Sequence, residues 1–404
     1  MTILFISDNF PPEVNAPATR IYEHCKEWVK LGAEVTVITC FPNFPQGKVY
    51  EGYKNKWKRT EWINGIKVIR VWSYMSPNEG FFKRLLDFNS FAITAFFTGL
   101  KIKTDIIIST SPQFFTSFPG YLLSKIKRSK WVFEIRDLWP ESLWMLNRKS
   151  FIYRLFSWFE YFFYKKANLI VTVTESFKET LASNGIDIGK ISIFCNGADF
   201  KVHKRNDSAT SMIRSDLNLE NKKIVGYIGT FGVAQNLPFF ISCLKEISEL
   251  YPELHFLFIG DGVDKEKMRI ILDEKKYNNM TLLKPIPREN VKDYLSIIDY
   301  GLVPLRNNEV YHKVIPSKIF ELAAMKIPIL LGVEGEVLEI IYKYKIGLAF
   351  KPENKGDFIE KIGILLKDEK SLKSDYKSFS QDFNREIIAF NYLEALKKLN
   401  HGNN

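Results

Sequence analysis

The 404-residue chain contains few of the residues that form disulfides or bind metals. It contains four cysteines and five histidines, and the cysteines (Cys25, Cys40, Cys195 and Cys243) lie far apart with no CxxC pair. We therefore expect neither a disulfide framework nor a zinc site, and a reducing cytoplasm suits this composition. Hydrophobic residues at 46% and charged residues at 25% are ordinary for a globular protein, and the length predicts two domains.

Long hydrophobic runs are also missing. The uncharged stretch Phe88–Leu100 has 13 residues, fewer than the roughly 20 that a spanning helix needs, and Phe151–Tyr164 contains Arg154 and Glu160. Two interpretations of these aromatic stretches stay open. They are buried helices of the first domain, or they dock on a membrane interface with the basic residues that flank them, namely Lys83, Arg84, Lys165 and Lys166.

Positive charge is concentrated in the first half. The chain carries a net charge of +11, and residues 1–200 hold 26 Lys and Arg against 18 Asp and Glu, a net +8. Such an excess suits nucleic acid or anionic lipid, and no nucleic-acid-binding motif accompanies it. The chain begins in a strand-like run without a basic segment before it, so we expect no signal peptide. The prediction is a cytoplasmic protein peripherally associated with the inner face of the membrane.

Strand-like and helical patterns alternate along the chain, which predicts parallel sheets built from βαβ units. The first half predicts strands at Ile3–Ser7, Glu34–Thr39, Lys67–Trp72, Asp105–Thr110, Trp131–Arg136 and Leu169–Thr174. The second half predicts Lys223–Gly229, His255–Gly260, Thr281–Lys284, Tyr300–Pro304, Pro328–Gly332 and Gly347–Phe350. We expect a first domain at 1–200, a linker at 201–221, a second domain at 222–381, and a helix within 382–404 that packs back on the first domain.

The loop after the first strand, SDNFPPEVNAPATR, contains no glycine although nucleotide-binding folds place a glycine-rich loop there. Asn15 has a small side chain that can form hydrogen bonds, so we expect that this loop can still contact a phosphate. Glu13 and Arg20 are candidates for contacts with a second substrate. A buried ion pair is the alternative for Arg20.

The most specific stretch is PSKIFELAAMKIPIL, from Pro316 to Leu330. Pro316 and Ser317 are suitable first-turn and capping residues for a helix that continues through Lys318 to Met325. Glu321 lies one turn into this helix, where a carboxylate can accept both hydroxyls of a ribose. A helix and strand with one glutamate can also be purely structural.

Taken together, five motifs resemble the retaining glycosyltransferases of family four. The five are the first loop, EIRDLWPES (Glu134–Ser142), FCNGAD (Phe194–Asp199), YIGTFGVAQNL (Tyr227–Leu237) and FIGDG (Phe258–Gly262). The stretch PSKIFELAAMKIPIL also resembles the donor-site signature of this family. The resemblance covers nearly the whole chain and is greatest to enzymes that build bacterial O-antigen and capsular polysaccharides, including N-acetyl-fucosamine transferases. It implies the α/β GT-B fold, with two doubly wound Rossmann-like domains that face a central cleft.

The resemblance also implies a donor site, with departures. Glu321 matches the second family glutamate, whereas Lys313 stands at the first, so Glu309 or His312 takes its place or the donor preference changes. Thr230 and Gln235 stand where relatives have an Arg and a Lys for the diphosphate, and Lys318 is the replacement we expect. Ser317, Gly229, Gly260 and Pro287 complete the predicted donor site. The two glycines and the proline would contact the donor through their backbone groups.

On the acceptor side, Arg136 stands about where relatives have a histidine that faces the sugar, and Asp137 follows it. Asp137 is the predicted catalytic carboxylate, or else a helix cap, and Lys318 is the predicted catalytic cation. The resemblance implies transfer with retention from a nucleotide-sugar, UDP-linked, to a polyprenyl-diphosphate-linked saccharide, with no cofactor. The absence of a DxD triplet agrees with a reaction that needs no metal. A non-catalytic partner of polysaccharide assembly at the membrane surface, and a nucleotide-sugar 2-epimerase, stay open as alternatives.

Overall fold

The computed structural model describes residues 1–44, 46–75, 81–111, 113–138, 150–202, 204–368 and 372–402. The chain forms two compact units. The first consists of Met1–Asn196 together with Arg385–Asn404, and the second is Gly197–Asn384. Part of the motif EIRDLWPES lies outside the described residues, which stop at Leu138 and resume at Ser150.

The first unit is built on an eight-stranded sheet with the order β3-β4-β2-β1-β5-β6-β7-β8. Only β3 is antiparallel to its neighbour among the paired strands described. Both faces of the sheet are covered, which explains the continuous apolar runs in β1 and β5. The strands are β1 (Thr2–Ile6), β2 (Glu34–Cys40), β3 (Lys58–Ile63), β4 (Ile66–Val71), β5 (Ile106–Thr110), β6 (Lys130–Ile135), β7 (Leu169–Thr172) and β8 (Ile191–Ile193).

Five helices of this unit follow strands along the chain. The apolar sides of α2, α3, α4 and α5 pack into one core on one face of the sheet, whereas α1 packs into the core on the other face. The helix α4 begins at a serine cap, since Ser150 Oγ accepts the N–H of Tyr153 at 3.2 Å. These helices are α1 (Ala16–Lys30), α2 (Phe81–Gly99), α3 (Ser117–Lys127), α4 (Phe151–Lys166) and α5 (Glu175–Ser183).

The second unit has a six-stranded parallel sheet with the order β11-β10-β9-β12-β13-β14. Its strands are β9 (Lys223–Thr230), β10 (Leu254–Asp261), β11 (Met280–Leu283), β12 (Tyr300–Pro304), β13 (Ile329–Gly332) and β14 (Gly347–Ala349). Its helices are α6 (Asp207–Asp216), α7 (Pro238–Ile241), α8 (Leu244–Leu250), α9 (Lys265–Lys275), α10 (Val291–Ser296), α11 (Glu309–His312), α12 (Lys318–Ala324), α13 (Glu336–Tyr344), α14 (Lys355–Asp368) and α15 (Tyr376–Asp382). Residues 201–221, expected to be an irregular linker, therefore contain a helix.

The last helix, α16 (Arg385–His401), belongs to the first unit and packs against α1. The indole N–H of Trp28 donates to the carbonyl of Ala389 at 2.9 Å. Tyr392 on α16 stacks on Phe194 with ring centroids 4.5 Å apart. Buried aromatic packing thus attaches α16 to the sheet face that α1 covers.

Two expectations about absent features can be compared with the described residues. Within the ranges given above, no helix combines the length and the hydropathy that crossing a membrane requires. Across the same residues, no three His, Cys, Asp or Glu side chains are grouped in a way that could hold a metal ion. All four cysteines are free thiols.

Candidate functional site

The carboxyl ends of β9 and β10 approach each other closely in the second unit. Gly260 has a φ of +155°, and a Cβ built on it would lie 1.8 Å from the carbonyl oxygen of Gly229. No side chain can occupy that space, so glycine is required at this position. The motif FIGDG thus serves the close contact of two backbone segments at the sheet edge.

Lys318, at the start of α12, reaches this edge. Its ammonium nitrogen lies 2.6 Å from the point that a Cβ on Gly229 would occupy, and 4.9 Å from the ring centroid of Tyr227. Burial lowers the pKa of Lys318, and the nearby Glu321 carboxylate partly offsets this effect. The described residues offer the ammonium no hydrogen-bond acceptor, so a cation with unused donors stands over the end of β9.

Glu321 lies one turn after Lys318 on α12 and is half-buried. Its carboxylate has no hydrogen-bond or ion-pair partner among the described residues, so both oxygens can accept hydrogen bonds from a ligand. Ser317 precedes the helix, but its exposed side chain makes no capping hydrogen bond, which corrects the capping role expected for it.

Three further residues border the same sheet edge. The carbonyl of Thr230 accepts the Tyr227 hydroxyl at 2.7 Å, and the Thr230 side chain is exposed. Pro287 is exposed and precedes a 3-10 turn. Lys265 was missed in the sequence, although its ammonium donates to the carbonyls of Gly260 at 2.7 Å and Leu283 at 3.3 Å. The spacing of five residues between Gly260 and Lys265, at the start of a helix, is the only sequence signal for it.

The position of the missing family glutamate lies just after α11. Lys313 follows the last residue of that helix and is half-buried. The His312 ring nitrogen Nε2 lies 3.6 Å from a Glu334 carboxylate oxygen, and Glu309 is exposed in the first turn of α11. Among the described residues this ring nitrogen makes no hydrogen bond, and the Glu309 side chain is accessible.

In the first unit, Arg136 and Asp137 follow β6 as expected. The Ser111 hydroxyl oxygen, at the end of β5, accepts the backbone N–H of Arg136 at 2.7 Å and of Asp137 at 3.3 Å. Burial raises the pKa of Asp137 to about 6, against the opposing effect of Arg136. Burial lowers the pKa of Arg136 to about 10, and the positive charge of Arg20 is the second cause of this lowering. Within the described residues, Nε and Nη1 of Arg136 are buried and make no hydrogen bond.

The first loop is organised by its own polar side chains. One carboxylate oxygen of Glu13 accepts the N–H of Asn43 at 2.8 Å and of Phe44 at 2.9 Å, and burial raises the pKa of this carboxyl to about 7. Asn15 caps α1, since its Oδ1 accepts the N–H of Ala18 at 2.9 Å. Its amide nitrogen donates to Asn9 at 2.5 Å. Asn15 thus has a capping role, and its contact with a donor phosphate stays a prediction.

Arg20 is also used inside the protein. Its side chain is 5% exposed and Nε lies 3.3 Å from the fully buried Glu134 carboxylate. The other guanidinium nitrogens donate to the carbonyls of Phe194 at 2.6 Å and Cys195 at 2.9 Å, and to the Asn196 side chain at 3.1 Å. Every guanidinium nitrogen thus has a protein acceptor. The buried ion pair that was the alternative for Arg20 is present, and contact of Arg20 with an acceptor stays a prediction.

Comparison with known families matches both units. Residues 15–197 match the model of the glycosyl transferase 4-like domain, and residues 210–381 match that of the glycosyl transferases group 1. A putative colanic acid biosynthesis glycosyl transferase, WcaI, of Escherichia coli (strain K12) is 25% identical over 80% of this chain and 81% of its own. A probable glycosyltransferase, WbjE, of Pseudomonas aeruginosa is 26% identical over 66% of this chain and 67% of its own.

Solved structures share the fold across both units. Sucrose-phosphate synthase from Thermosynechococcus elongatus has a TM-score of 0.78 at 16% identity and covers 98% of each chain. Anabaena HepE in complex with UDP-glucose has a TM-score of 0.74 at 14% identity and covers 98% of this chain and 100% of its own. The two units are Rossmann-like domains of the GT-B fold. The first unit thus matches the 4-like family model and the second unit the group 1 model, and the chain is a glycosyltransferase.

Proposed function

We propose that this glycosyltransferase moves a sugar from a UDP-linked donor to a lipid-linked saccharide, with retention at the anomeric carbon, in bacterial surface polysaccharide synthesis. The observation that carries the proposal is the pair Lys318 and Glu321. A cation with unused donors and an unpaired carboxylate lie one turn apart at the glycine-lined end of β9. Two features of the matches support it: the Escherichia coli relative is named for colanic acid biosynthesis, and the HepE structures contain UDP or UDP-glucose.

In this proposal, each donor residue binds one part of the nucleotide-sugar. Glu321 accepts the ribose hydroxyls and Lys318 binds the diphosphate. Gly229, Thr230 and Gly260 let backbone groups approach the phosphates, while Pro287 lies beside the base. Because the Lys318 ammonium has lost hydration and has no acceptor among the described residues, a phosphate that gains negative charge binds it more strongly.

The proposed transfer needs no covalent intermediate. The bond between the anomeric carbon and the diphosphate oxygen breaks, the acceptor oxygen bonds to that carbon on the same face, and the acceptor proton passes to the departing phosphate. Lys318 stabilises the phosphate charge that develops. Asp137 and Arg136 orient the acceptor hydroxyl or the sugar. An N-acetylated amino-deoxyhexose is the donor sugar we propose, on the resemblance to N-acetyl-fucosamine transferases.

The first prediction tests the donor site through Glu321→Ala. We expect UDP to bind at least about tenfold more weakly, because the variant loses hydrogen bonds between a carboxylate and two hydroxyls. The midpoint of thermal unfolding should not change, since the carboxylate has no partner to lose in the part of the chain that the structure describes. Calorimetric titration with UDP measures the affinity. Glu339→Ala, an exposed glutamate on α13, is the matched control and should bind UDP as the parent does. Unchanged affinity in Glu321→Ala would sink the assignment.

The second prediction concerns metal ions. Transfer of sugar from the UDP-sugar should continue in EDTA, because Lys318 supplies the positive charge at the leaving diphosphate. Initial rates with and without EDTA, in protein first dialysed against the chelator, give the answer. A rate that falls in EDTA and returns with Mg²⁺ or Mn²⁺ would contradict metal independence.

A further inference from the structure

An apolar groove runs between α2 and α3 on the outer side of the first unit. Its volume is about 240 Å³. Eight of the nine residues that line it are apolar, and Asn89 stands among them: Asn89, Ala92, Ile93, Phe96, Phe97, Phe115, Phe118, Pro119 and Leu122. The amide nitrogen of Asn89 donates to the carbonyl of Leu85 at 2.7 Å, so this side chain is already engaged.

The lining restricts what can enter the groove. No charged side chain lines it, so a nucleotide, a sugar or a peptide backbone would lose hydrogen bonds to water without replacement. The groove holds the volume of about eight water molecules, below the roughly 300 Å³ at which pockets for drug-sized ligands begin. A short run of a flexible hydrocarbon chain suits both the volume and the lining.

One end of the groove lies towards the proposed acceptor residues. Phe115 lines the groove and belongs to the 3-10 turn Phe114–Thr116, which follows β5. Ser111, also after β5, accepts the backbone N–H groups of Arg136 and Asp137. Four residues of chain span at most about 14 Å, so Phe115 lies within that distance of Ser111 along the backbone. A chain in the groove can therefore continue to the carboxyl edge of the first sheet.

Positive charge stands at the same end. The Arg84 guanidinium carbon lies 5.5 Å from the ring centroid of Phe88, and that ring lies 6.0 Å from the ring of Phe115. Lys83 is exposed on the same turn of α2, with Asp87 one turn further on. Arg84 has no ion pair among the described residues. An anionic group attached to a chain in the groove would meet these two cations.

The groove is also the centre of an exposed apolar surface. Phe97 on α2 is 57% exposed, and Leu122 and Ile126 on α3 are 45% and 59% exposed. Exposed side chains of this kind favour a partner that is itself apolar. Phe97 and Leu122 line the groove, whereas Ile126 lies one turn beyond it.

We propose that this groove holds the first isoprene units of a polyprenyl-diphosphate acceptor, with the diphosphate near Lys83 and Arg84. The proposal rests on the proposed function and adds to it the part of the chain that recognises the lipid. The apolar lining, the direction towards Arg136 and Asp137, and the cations at that end all agree with one amphiphilic ligand. The acceptor saccharide would then extend along the carboxyl edge of the sheet.

Calorimetric titration of the full chain with farnesyl diphosphate, below its micelle concentration, tests the proposal. We expect Leu122→Gln and Phe97→Ala to weaken binding about tenfold, since each removes apolar contact with the chain. The matched controls Ile126→Gln and Phe151→Ala change apolar side chains outside the groove that are more exposed than Leu122 and Phe97. They should change the affinity less than about twofold. Inorganic diphosphate should bind all five proteins equally.

Each other outcome overturns the proposal. Absence of binding by farnesyl diphosphate, or equal weakening by variants inside and outside the groove, excludes the groove as its site. Dodecyl phosphate that binds as tightly would assign the groove to bilayer lipids in general. A dimer that the groove variants dissociate, seen by sedimentation, would assign it to a second copy of the chain. UDP titrated into the same samples separates the two hypotheses, because loss of UDP binding contradicts the proposed function instead.

Discussion

At the scale of single residues, hydrogen-bonding capacity decides which charged groups remain available to a substrate. Arg20 gives its guanidinium to Glu134 and to three acceptors at residues 194–196. A buried guanidinium with that many partners fixes the backbone it touches. Lys318 and Glu321, by contrast, make no hydrogen bond through their charged groups to any described residue. Availability, more than charge alone, separates structural from candidate catalytic residues here.

Arg20→Ala should therefore lower stability and not only activity. The variant leaves the fully buried Glu134 carboxylate without its cation, and such losses cost about 3 kcal/mol. Urea unfolding measures the change in the free energy of unfolding. Arg59→Ala is the matched control in the same unit, because Arg59 is 44% exposed and its ion pair with Glu61 is solvated. Equal losses in the two variants would show that the Arg20 network contributes nothing special.

Asp137 predicts a pH dependence. Burial raises its pKa to about 6, so a carboxylate that orients the acceptor is present above that pH and lost as pH falls through it. We expect kcat/KM to fall on the acid side with a midpoint near pH 6, and Asp137→Asn to remove that limb along with most activity. A midpoint near pH 7 would point to Glu13, whose pKa burial raises to about 7.

The raised pKa of Asp137 also makes the free energy of unfolding fall as pH rises, whereas a carboxylate in a salt bridge makes it rise. The folded state holds the proton more tightly than the unfolded chain, whose carboxyl titrates near 3.8. Ionisation therefore costs stability progressively as pH rises from about 4 to about 6, and the cost is complete above that. Asp137→Asn should flatten this part of the stability curve, which urea unfolding at several pH values measures.

At the scale of elements, local pattern was sufficient where both faces of a strand are buried. All twelve predicted strands exist, because buried parallel strands are continuous apolar runs between turn residues. The structure adds β3 and β8. The residues of β3 (KRTEWI) are mostly exposed at the sheet edge and β8 has three residues, so neither shows a buried run. Helix α6 was missed because its sequence, DSATSMIRSD, buries only Ile213.

The same reasoning explains what could be predicted of the site. The turn at Gly260 and the place of Glu321 one turn into α12 could be predicted, because both features are visible in a few neighbouring residues. The choice between the two alternatives for Arg20 could not be predicted, since its partner Glu134 lies 114 residues further along the chain and meets it only in the fold. The cap that Asn15 forms is local, because its Oδ1 accepts the N–H of Ala18 three residues on. Ser317 shows the same limit in reverse: a good capping residue by type makes no capping bond.

At the scale of the whole molecule, the two aromatic helices answer a question that the sequence left open. The expected burial is confirmed for one side of each helix, and the other side is exposed. Phe91 on α2 and Phe163 on α4 are buried in the core, whereas Phe97 and Trp158 are 57% and 59% exposed. The first unit thus presents apolar side chains on one outer face, and the net +8 of residues 1–200 adds positive charge to that unit. Docking on a membrane stays a prediction for this face.

We therefore expect the protein to bind anionic vesicles, and salt to weaken the binding, because each Lys or Arg near an anionic surface contributes about 1 kcal/mol. Replacing Lys83, Arg84, Lys165 and Lys166 by Glu should weaken it further. Lys165 and Lys166 are exposed and lie over the rings of Tyr161 and Phe162, so they can reach a surface that those rings enter.

The control makes the same charge change at four exposed lysines of the second unit: Lys245, Lys267, Lys275 and Lys377. Co-sedimentation with neutral and anionic vesicles measures the binding. If the two sets of variants lose vesicle binding equally, net charge alone explains the effect. If neutral and anionic vesicles bring down equal amounts of protein, the predicted docking on an anionic membrane is wrong.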